Sequence, residues 1–481
     1  MTTGIRSGLI KKINHSPTGS LIIYGLSILL LKGFSLLTIP LYAGFLGPAE
    51  YGKLDVVVSV MEIIGLCSSL GLADTLYRFA SAGSVAERHN QAATVFGSGL
   101  IGSLIVTVLV QFFIPTIYNF FGMTIGVWAL RAGMLAATLT GLIELPLAWM
   151  RLNERPLWYL SFVAGRSIFQ ILSTWAMLKS GAGAAAILYA TFLINIASLS
   201  LFGFLSFAKE GLQFTASGFG NMVHYGLPLV GGGLAMYVLG TLDRLFLVKA
   251  VSASDIGNYA VAAKLALATA LFVQPLALWW YPKRLGVLAQ PDGWVRNAEI
   301  WNIGFTILMA GASFTALAMP LFIHFSFALS YMPALKYLPW LIVASVLNEL
   351  VSLSSGAAYI RRGGYEIFCV NALAALVALF GYMIVIPHFG VAGAIAATLA
   401  AHCLRLIIMV YRARITAPVP LVSLPSTVVA LSALVPVLFI PANVSIIERI
   451  GFMLGAPLLV LGCAILTAVI AIPRFKKLSV A

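Results

Sequence analysis

SLIIYGLSILLLKGFSLLTIPLYA, residues 20–43, runs for twenty-four residues with a single charge, Lys32. At about 1.5 Å of rise per residue, a helix of this length crosses the roughly 30 Å hydrocarbon core of a bilayer. Lys32 lies about 18 Å along it, too deep to snorkel to the surface, so it needs a partner or a wet cavity. The rest of the chain repeats the pattern. Of 481 residues, 61% are hydrophobic and 9% charged, and the mean hydropathy is +1.01. A soluble chain is about 45–50% apolar and about 25% charged, so a soluble globular enzyme is excluded, as is a single-span anchor carrying a domain. The apolar runs do not alternate as barrel strands must, which leaves helices. The expected fold is an all-α polytopic membrane protein of about fourteen transmembrane helices. Their cores are 20–43, 54–75, 93–115, 124–149, 157–178, 183–207, 222–248, 256–281, 300–323, 338–360, 365–386, 390–411, 421–440 and 450–472.

The net charge of +14 sets topology rather than marking a nucleic-acid surface. With the N-terminus inside, eighteen basic residues fall on the inner face, among them Arg6, Lys11, Lys12, Arg78, Arg151, Lys283 and Arg284. Five fall outside: Lys53, Lys179, Lys249, Lys336 and Arg449. Both termini are therefore expected in the cytoplasm, and the first span, which lacks a small-residue cleavage site, is expected to stay in the protein. No loop reaches twenty residues, leaving no room for a nucleotide-binding domain, and Gly52-Lys53 runs into Leu54 rather than completing a phosphate loop. The four cysteines, Cys67, Cys369, Cys403 and Cys463, stand alone in apolar runs, without metal-ligand spacing. No cofactor is expected.

An internal repeat divides the spans. FLGPAEYGKLDVVVS (45–59) matches AVSASDIGNYAVAAK (250–264), with Glu50 over Asp255 and Gly52 over Gly257 at an offset of 205. GAAAILYA (183–190) matches GAIAATLA (393–400) at an offset of 210. Two six-helix lobes follow, 1–210 (spans 1–6) and 211–415 (spans 7–12), in parallel orientation because six is even. Residues 416–481 hold spans 13 and 14 and a cytoplasmic tail. The acid-x-Gly elements read as turns that use glycine's backbone freedom, with an acid at a helix N-terminus. Gly231-Gly232-Gly233 reads as a hinge or a rigid kink in span 7.

Charges at membrane depth usually face an interior. The bases are Lys32, Arg131, Arg166, Arg244, Lys264 and Arg405, the last near enough to the inner end to snorkel; the acids are Asp55, Glu62, Glu144, Asp243 and Glu349. Internal pairing, Lys32 with Glu62 or Arg244 with Asp243, is one reading. A cavity lined with cationic sites for an anionic, phosphate-bearing substrate is the other, with Lys32, Arg131, Arg166, Arg244 and Lys264 as substrate-binding residues. Glu62, Glu144, Asp243 and Glu349 are the candidates for proton or sodium coupling, since a desolvated carboxylate exchanges protons readily. The histidines His224, His324 and His402 read as ordinary packing.

IPLYAGFLGPAEYGKLDVVVSVMEIIGLCSSLGLADTLYRFA (39–80), with its L-G-P-x-E-Y-G turn and the close of span 2 from Gly71-Leu72 to Arg78, resembles polysaccharide-biosynthesis membrane proteins, the Wzx-type lipid-linked oligosaccharide flippases. GVAGAIAAT (390–398) resembles their twelfth span. The resemblance implies two lobes in a V, working by alternating access. It also implies a substrate, an oligosaccharide on undecaprenyl pyrophosphate moved from the inner to the outer leaflet of the bacterial inner membrane for O-antigen, capsule or exopolysaccharide. Implied partners are that lipid-linked oligosaccharide, membrane lipids and a polysaccharide polymerase, with no nucleic acid. The alternatives are a multidrug antiporter or a lipid II flippase of the same superfamily. A membrane polymerase or ligase is disfavoured because no outer loop is large enough to carry catalytic residues and no Asp-x-Asp pair occurs.

Overall fold

The computed structural model describes residues 17–81, 83–120, 125–204, 211–362, 364–416, 428–433 and 446–466. Among these residues the protein is all helical. In chain order the helices are α1 (Pro17–Phe45), α2 (Pro48–Ser69), α3 (Leu72–Ala80), α4 (Val85–Phe120), α5 (Val127–Leu152), α6 (Pro156–Lys179) and α7 (Gly183–Ser198). They continue with α8 (Ala216–Gly240), α9 (Asp243–Leu247), α10 (Ala253–Ala266), α11 (Ala268–Leu288), α12 (Gly293–Ser326), α13 (Leu338–Ser354), α14 (Gly356–Arg362), α15 (Gly364–Thr416) and α16 (Ile446–Leu466).

Eleven helical segments among the described residues are long and apolar enough to cross a membrane, rather than the fourteen expected. Two differences have clear causes. Residues 364–416 count once but are bent back at Gly390, whose φ of 55° and ψ of −129° break the helix. The arms fold together: a Cβ at Gly381 would lie 2.7 Å from that of Ala397, and the Tyr382 and Thr398 hydroxyls are 2.8 Å apart. The expected spans 365–386 and 390–411 are these arms. Helix α6, the expected fifth span, is too polar to be counted, because it carries Arg166, Gln170, Ser161, Ser167, Ser173 and Thr174. The expected thirteenth span lies outside the described residues apart from 428–433.

Contacts group the chain into two compact units, Met1–Gly257 and Asn258–Ala481. In the first, α5 is central and packs against α2, α4 and α7. Its Ala129, Ala132, Gly133, Ala136, Ala137 and Gly141 are small and largely buried, which lets neighbouring backbones approach closely. At Gly141 a Cβ would sit 2.7 Å from the Ser69 Cα. Ser68 and Ser103 both donate to the Thr138 carbonyl, tying α2 and α4 to that face. Helix α4 shows the opposite pattern. Its Leu104, Ile105, Val108, Leu109, Phe112 and Phe113 are exposed, a surface suited to lipid and not to water.

Helix α2 stops where Leu70 and Gly71 both turn left-handed, at φ 44° and 63°. Helix α8 crosses at that break, with Gly226 so close that a Cβ would fall on the Leu70 carbonyl. The triple glycine of α8 does not interrupt the helix. The helix runs unbroken from Ala216 to Gly240, and Gly233 makes room for the Leu66 side chain. Between α5 and α6, Glu154 N–H donates to the Arg151 carbonyl and Arg155 N–H to that of Met150, with Glu154 at φ 52°. This is a Schellman closure with glutamate in the position glycine normally takes, and Pro156 starts the next helix.

In the second unit α12 packs against α11, α13 and α16, and α13 against α15. Gly304 lies under Leu276 and Leu353, and Gly311 under Phe272. Arg284, assigned from sequence to an inner loop, is instead 3% exposed inside α11. It donates to the Ser355 hydroxyl (2.9 Å) and to the Ser352 and Leu353 carbonyls at the end of α13. Ser352 also accepts from the Ser355 N–H and hydroxyl, and the guanidinium adds to this closure of the last turn of α13.

Candidate functional site

The acid-x-Gly repeat is resolved first, because it frames the charges. Neither Gly52 nor Gly257 sits in a turn; both lie inside helices, α2 and α10. A Cβ at Gly52 would fall on the Ala253 carbonyl, and one at Gly257 on the Pro48 carbonyl. Glycine is needed there for helix crossing, not for left-handed backbone. Asp255 keeps its expected role at a helix N-terminus: Ser252 Oγ accepts from the Asp255 N–H (3.1 Å), capping α10, and donates to the Asp255 carboxylate (2.6 Å).

Three residues beyond Gly52 on α2, Asp55 joins a buried charge cluster. Arg244 of α9 is 7% exposed, and Asp55 and Asp243 are 3% and 2% exposed. Arg244 Nε donates to Asp55 (3.1 Å), while Nη1 donates to Asp243 (2.8 Å) and to the Gly240 carbonyl (2.8 Å). Nearby, the Tyr237 hydroxyl donates to the Ser59 carbonyl at 2.8 Å. Arg244 and Asp243, expected to serve substrate and ion respectively, are thus placed against each other. Asp55, noted in the sequence without a role, is the third member. Only its place on the same helix as Glu62 was visible, since 189 residues separate it from Arg244.

The other bases of the first unit have different surroundings. Arg166 of α6 donates to the Asn195 side-chain oxygen (2.8 Å), and Asn195 in turn donates to the Ala136 carbonyl (2.7 Å). Arg131 of α5 bonds the Gln111 side chain (3.4 Å) and lies 5.6 Å from the Trp128 ring centre. Lys32 is exposed on α1, with no ion pair among the described residues. Glu62 is exposed on α2, and Glu144 of α5 faces Arg151 at 3.7 Å.

In the second unit Lys264 is half-buried on α10, and Glu349 on α13 accepts from Asn348 at 3.4 Å. Arg405 does not snorkel. It is 3% exposed and donates to Asn371, Asn348 and His402 Nδ1, each at 3.0 Å. Because arginine can only donate, His402 accepts at Nδ1 and carries its proton on Nε2. Among the described residues no group of His, Cys, Asp and Glu is placed to hold a metal ion.

The bases the sequence singled out are therefore not one set. Arg244 is enclosed by carboxylates, whereas Arg131 and Arg166 donate to neutral amides, with the Glu144 carboxylate acting on Arg166 through space. Such a base can receive an anion without first breaking an ion pair.

The fold recurs in transporters. A lipid II flippase MurJ in an inward closed conformation superimposes with a TM-score of 0.69 at 14% identity, covering 92% of this chain and 98% of that one. An inward-facing multidrug resistance MATE family transporter of the MOP superfamily gives 0.60 at 16%, covering 80% and 94%. A MOP superfamily transporter from Pyrococcus furiosus with a binding pocket of reverse polarity gives 0.52 at 16%, covering 83% and 96%. No curated protein matches the chain in sequence. Residues 41–282, half of the chain and including the segment that carried the resemblance, match the family described as polysaccharide biosynthesis protein, and the chain belongs to that family.

Proposed function

We propose that the protein is a flippase that carries an undecaprenyl-pyrophosphate-linked oligosaccharide from the inner to the outer leaflet of a bacterial inner membrane, with both termini in the cytoplasm. The observation that carries this reading is the pair of amide-held guanidiniums, Arg131 and Arg166, at membrane depth in a polysaccharide-biosynthesis protein. Guanidinium pairs with phosphate through two parallel hydrogen bonds, and taking the headgroup out of water requires such compensation. Lys32 and Lys264 add charge, and the lipid tail stays in the bilayer. Arg244, enclosed by carboxylates, contributes as part of the scaffold. Glu62, Glu144, Asp243 and Glu349 are the proposed coupling groups, for a proton or a sodium ion. The fold shared with a lipid II flippase favours lipid II as the alternative cargo.

The test is a strain lacking this protein, its undecaprenyl-linked lipids analysed by mass spectrometry. A finished oligosaccharide lipid should accumulate on the cytoplasmic side, and its mass identifies the glycan. Accumulation of lipid II selects the alternative. No accumulation, with heightened sensitivity to cationic drugs, overturns the flippase reading in favour of multidrug export. In the complemented strain, Arg131→Ala with Arg166→Ala should abolish glycan export at normal protein level.

A further inference from the structure

Helix α6 divides its surface three ways. Ile168, Phe169, Leu172 and Trp175 are exposed, a side suited to lipid. Val163, Ser167, Thr174 and Leu178 are buried. Between the two runs a half-buried stripe at helical spacing, Arg166, Gln170, Ser173 and Met177. Three of its members are polar, on a helix read as a membrane span, where a polar group without a partner is costly.

These polar members differ in what they have left to offer. Ser173 Oγ donates to the Gln170 carbonyl of its own helix (3.2 Å), and Arg166 donates to Asn195. Asn195 is fully used: it is 1% exposed, and its amide donates to the Ala136 carbonyl (2.7 Å) and to Thr140 Oγ1 (3.3 Å). Gln170 is half-buried and only half used. Its Nε2 donates to Thr174 Oγ1 (3.1 Å) and Thr191 Oγ1 (3.4 Å). The Thr191 hydroxyl gives its own proton to the Ile187 carbonyl at 2.7 Å, so it can only accept from Gln170, and the amide cannot be turned the other way round. Oε1 is left over: it accepts from no described residue and is not sealed inside the protein.

An open acceptor held one turn from a guanidinium selects its ligand. Arg166 and Gln170 are four residues apart, which sets their Cβ atoms about 5–6 Å from each other. A cation is disfavoured so close to a fixed positive charge. A pyrophosphate diester and a lipid chain have no proton to give. A sugar hydroxyl or acetamido N–H has one, and in a glycosyl pyrophosphate it lies within one ring of the phosphate. We infer that Gln170 is a saccharide-recognising residue, whose Oε1 accepts a proton from the sugar attached to the phosphate that Arg166 binds. Thr174 and Thr191 are positioning residues that aim it. The inference rests on the flippase reading for the identity of the cargo.

The test measures the affinity of full-length protein in nanodiscs for two probes, undecaprenyl pyrophosphate and the same lipid bearing one N-acetylglucosamine. Wild type should prefer the glycosylated probe by about fivefold, the scale of one hydrogen bond. Gln170→Met, which keeps the length of the side chain and removes its oxygen, should bring the ratio close to one with the bare lipid bound as before. Thr191→Val leaves Gln170 in place but frees its amide to turn, and should lower the ratio about twofold. Arg166→Ala should weaken both probes and keep the ratio. A ratio unchanged in Gln170→Met overturns the assignment and leaves the flippase reading standing, as does a wild type with no preference for the sugar. Should Gln170→Met yield no folded protein, an unchanged ratio in Thr191→Val overturns it instead. Failure of the wild type to bind either lipid overturns both readings.

Discussion

Arg244 and Arg166 are both arginines held by side chains of the first unit, and their surroundings are opposite. Arg244 is gripped by two carboxylates and a carbonyl, with its partners almost wholly buried. Arg166 rests on one asparagine that is itself pinned to α5. The first arrangement is stable because every charge is answered, and it resists change for the same reason. The second meets its base with a neutral amide at hydrogen-bond distance, and the Glu144 carboxylate acts on it only through space. Hydropathy and charge counting treat the two residues alike; only the identity of the neighbours separates scaffold from site.

The sharpest break of that comparison is to delete each guanidinium. Arg244→Ala removes the guanidinium that faces Asp55 and Asp243, and removing one partner of a buried pair costs about 3–5 kcal/mol. The expected outcome is loss of folded protein, read by immunoblot and by thermal unfolding in detergent. Arg166→Ala forfeits one hydrogen bond, about 1 kcal/mol, and should leave protein level nearly normal while glycan export fails. Equal loss of protein in both variants would erase the distinction.

A smaller effect is expected at the helix crossing. Gly52→Ala or Gly257→Ala drives a methyl group into a backbone carbonyl that cannot rotate away, an overpacking cost of about 1–3 kcal/mol. Gly33→Ala, at a position with open space, should change the unfolding temperature little and serves as the reference. The smallest effect has the opposite sign. Glu154→Gly relieves a left-handed glutamate and should stabilise by up to about 1 kcal/mol, raising the unfolding temperature slightly.

Much of the fold was legible because a bilayer demands long apolar runs, and those runs are local in sequence. Helix ends were less so. Arg284 and Arg151 read as loop charges because a basic residue beside a proline-rich or polar stretch looks like a boundary. In the structure the helices run on, and Arg284 caps a neighbour while Arg151 stacks on tyrosines. The match at Gly52 and Gly257 was visible, but its meaning was not, since a spacing of 205 residues says nothing of contact. The Asp55 partnership was hidden for the same reason. What the sequence carried about the site was a set of residue types; which of them pair is decided by tertiary packing.

The crossing of α2 and α10 has one further consequence. Residues 48 and 253 are separated by 205 positions, as are Gly52 and Gly257, and the carbonyl of the first member on each side faces the glycine of the other. A contact in which equivalent positions meet one another is what two identical chains make about a two-fold axis. The two glycines therefore carry matching packing roles, each admitting a backbone carbonyl of the other helix. A side chain at either position meets backbone rather than another side chain, so a loss at one glycine has no partner side chain whose change could relieve it.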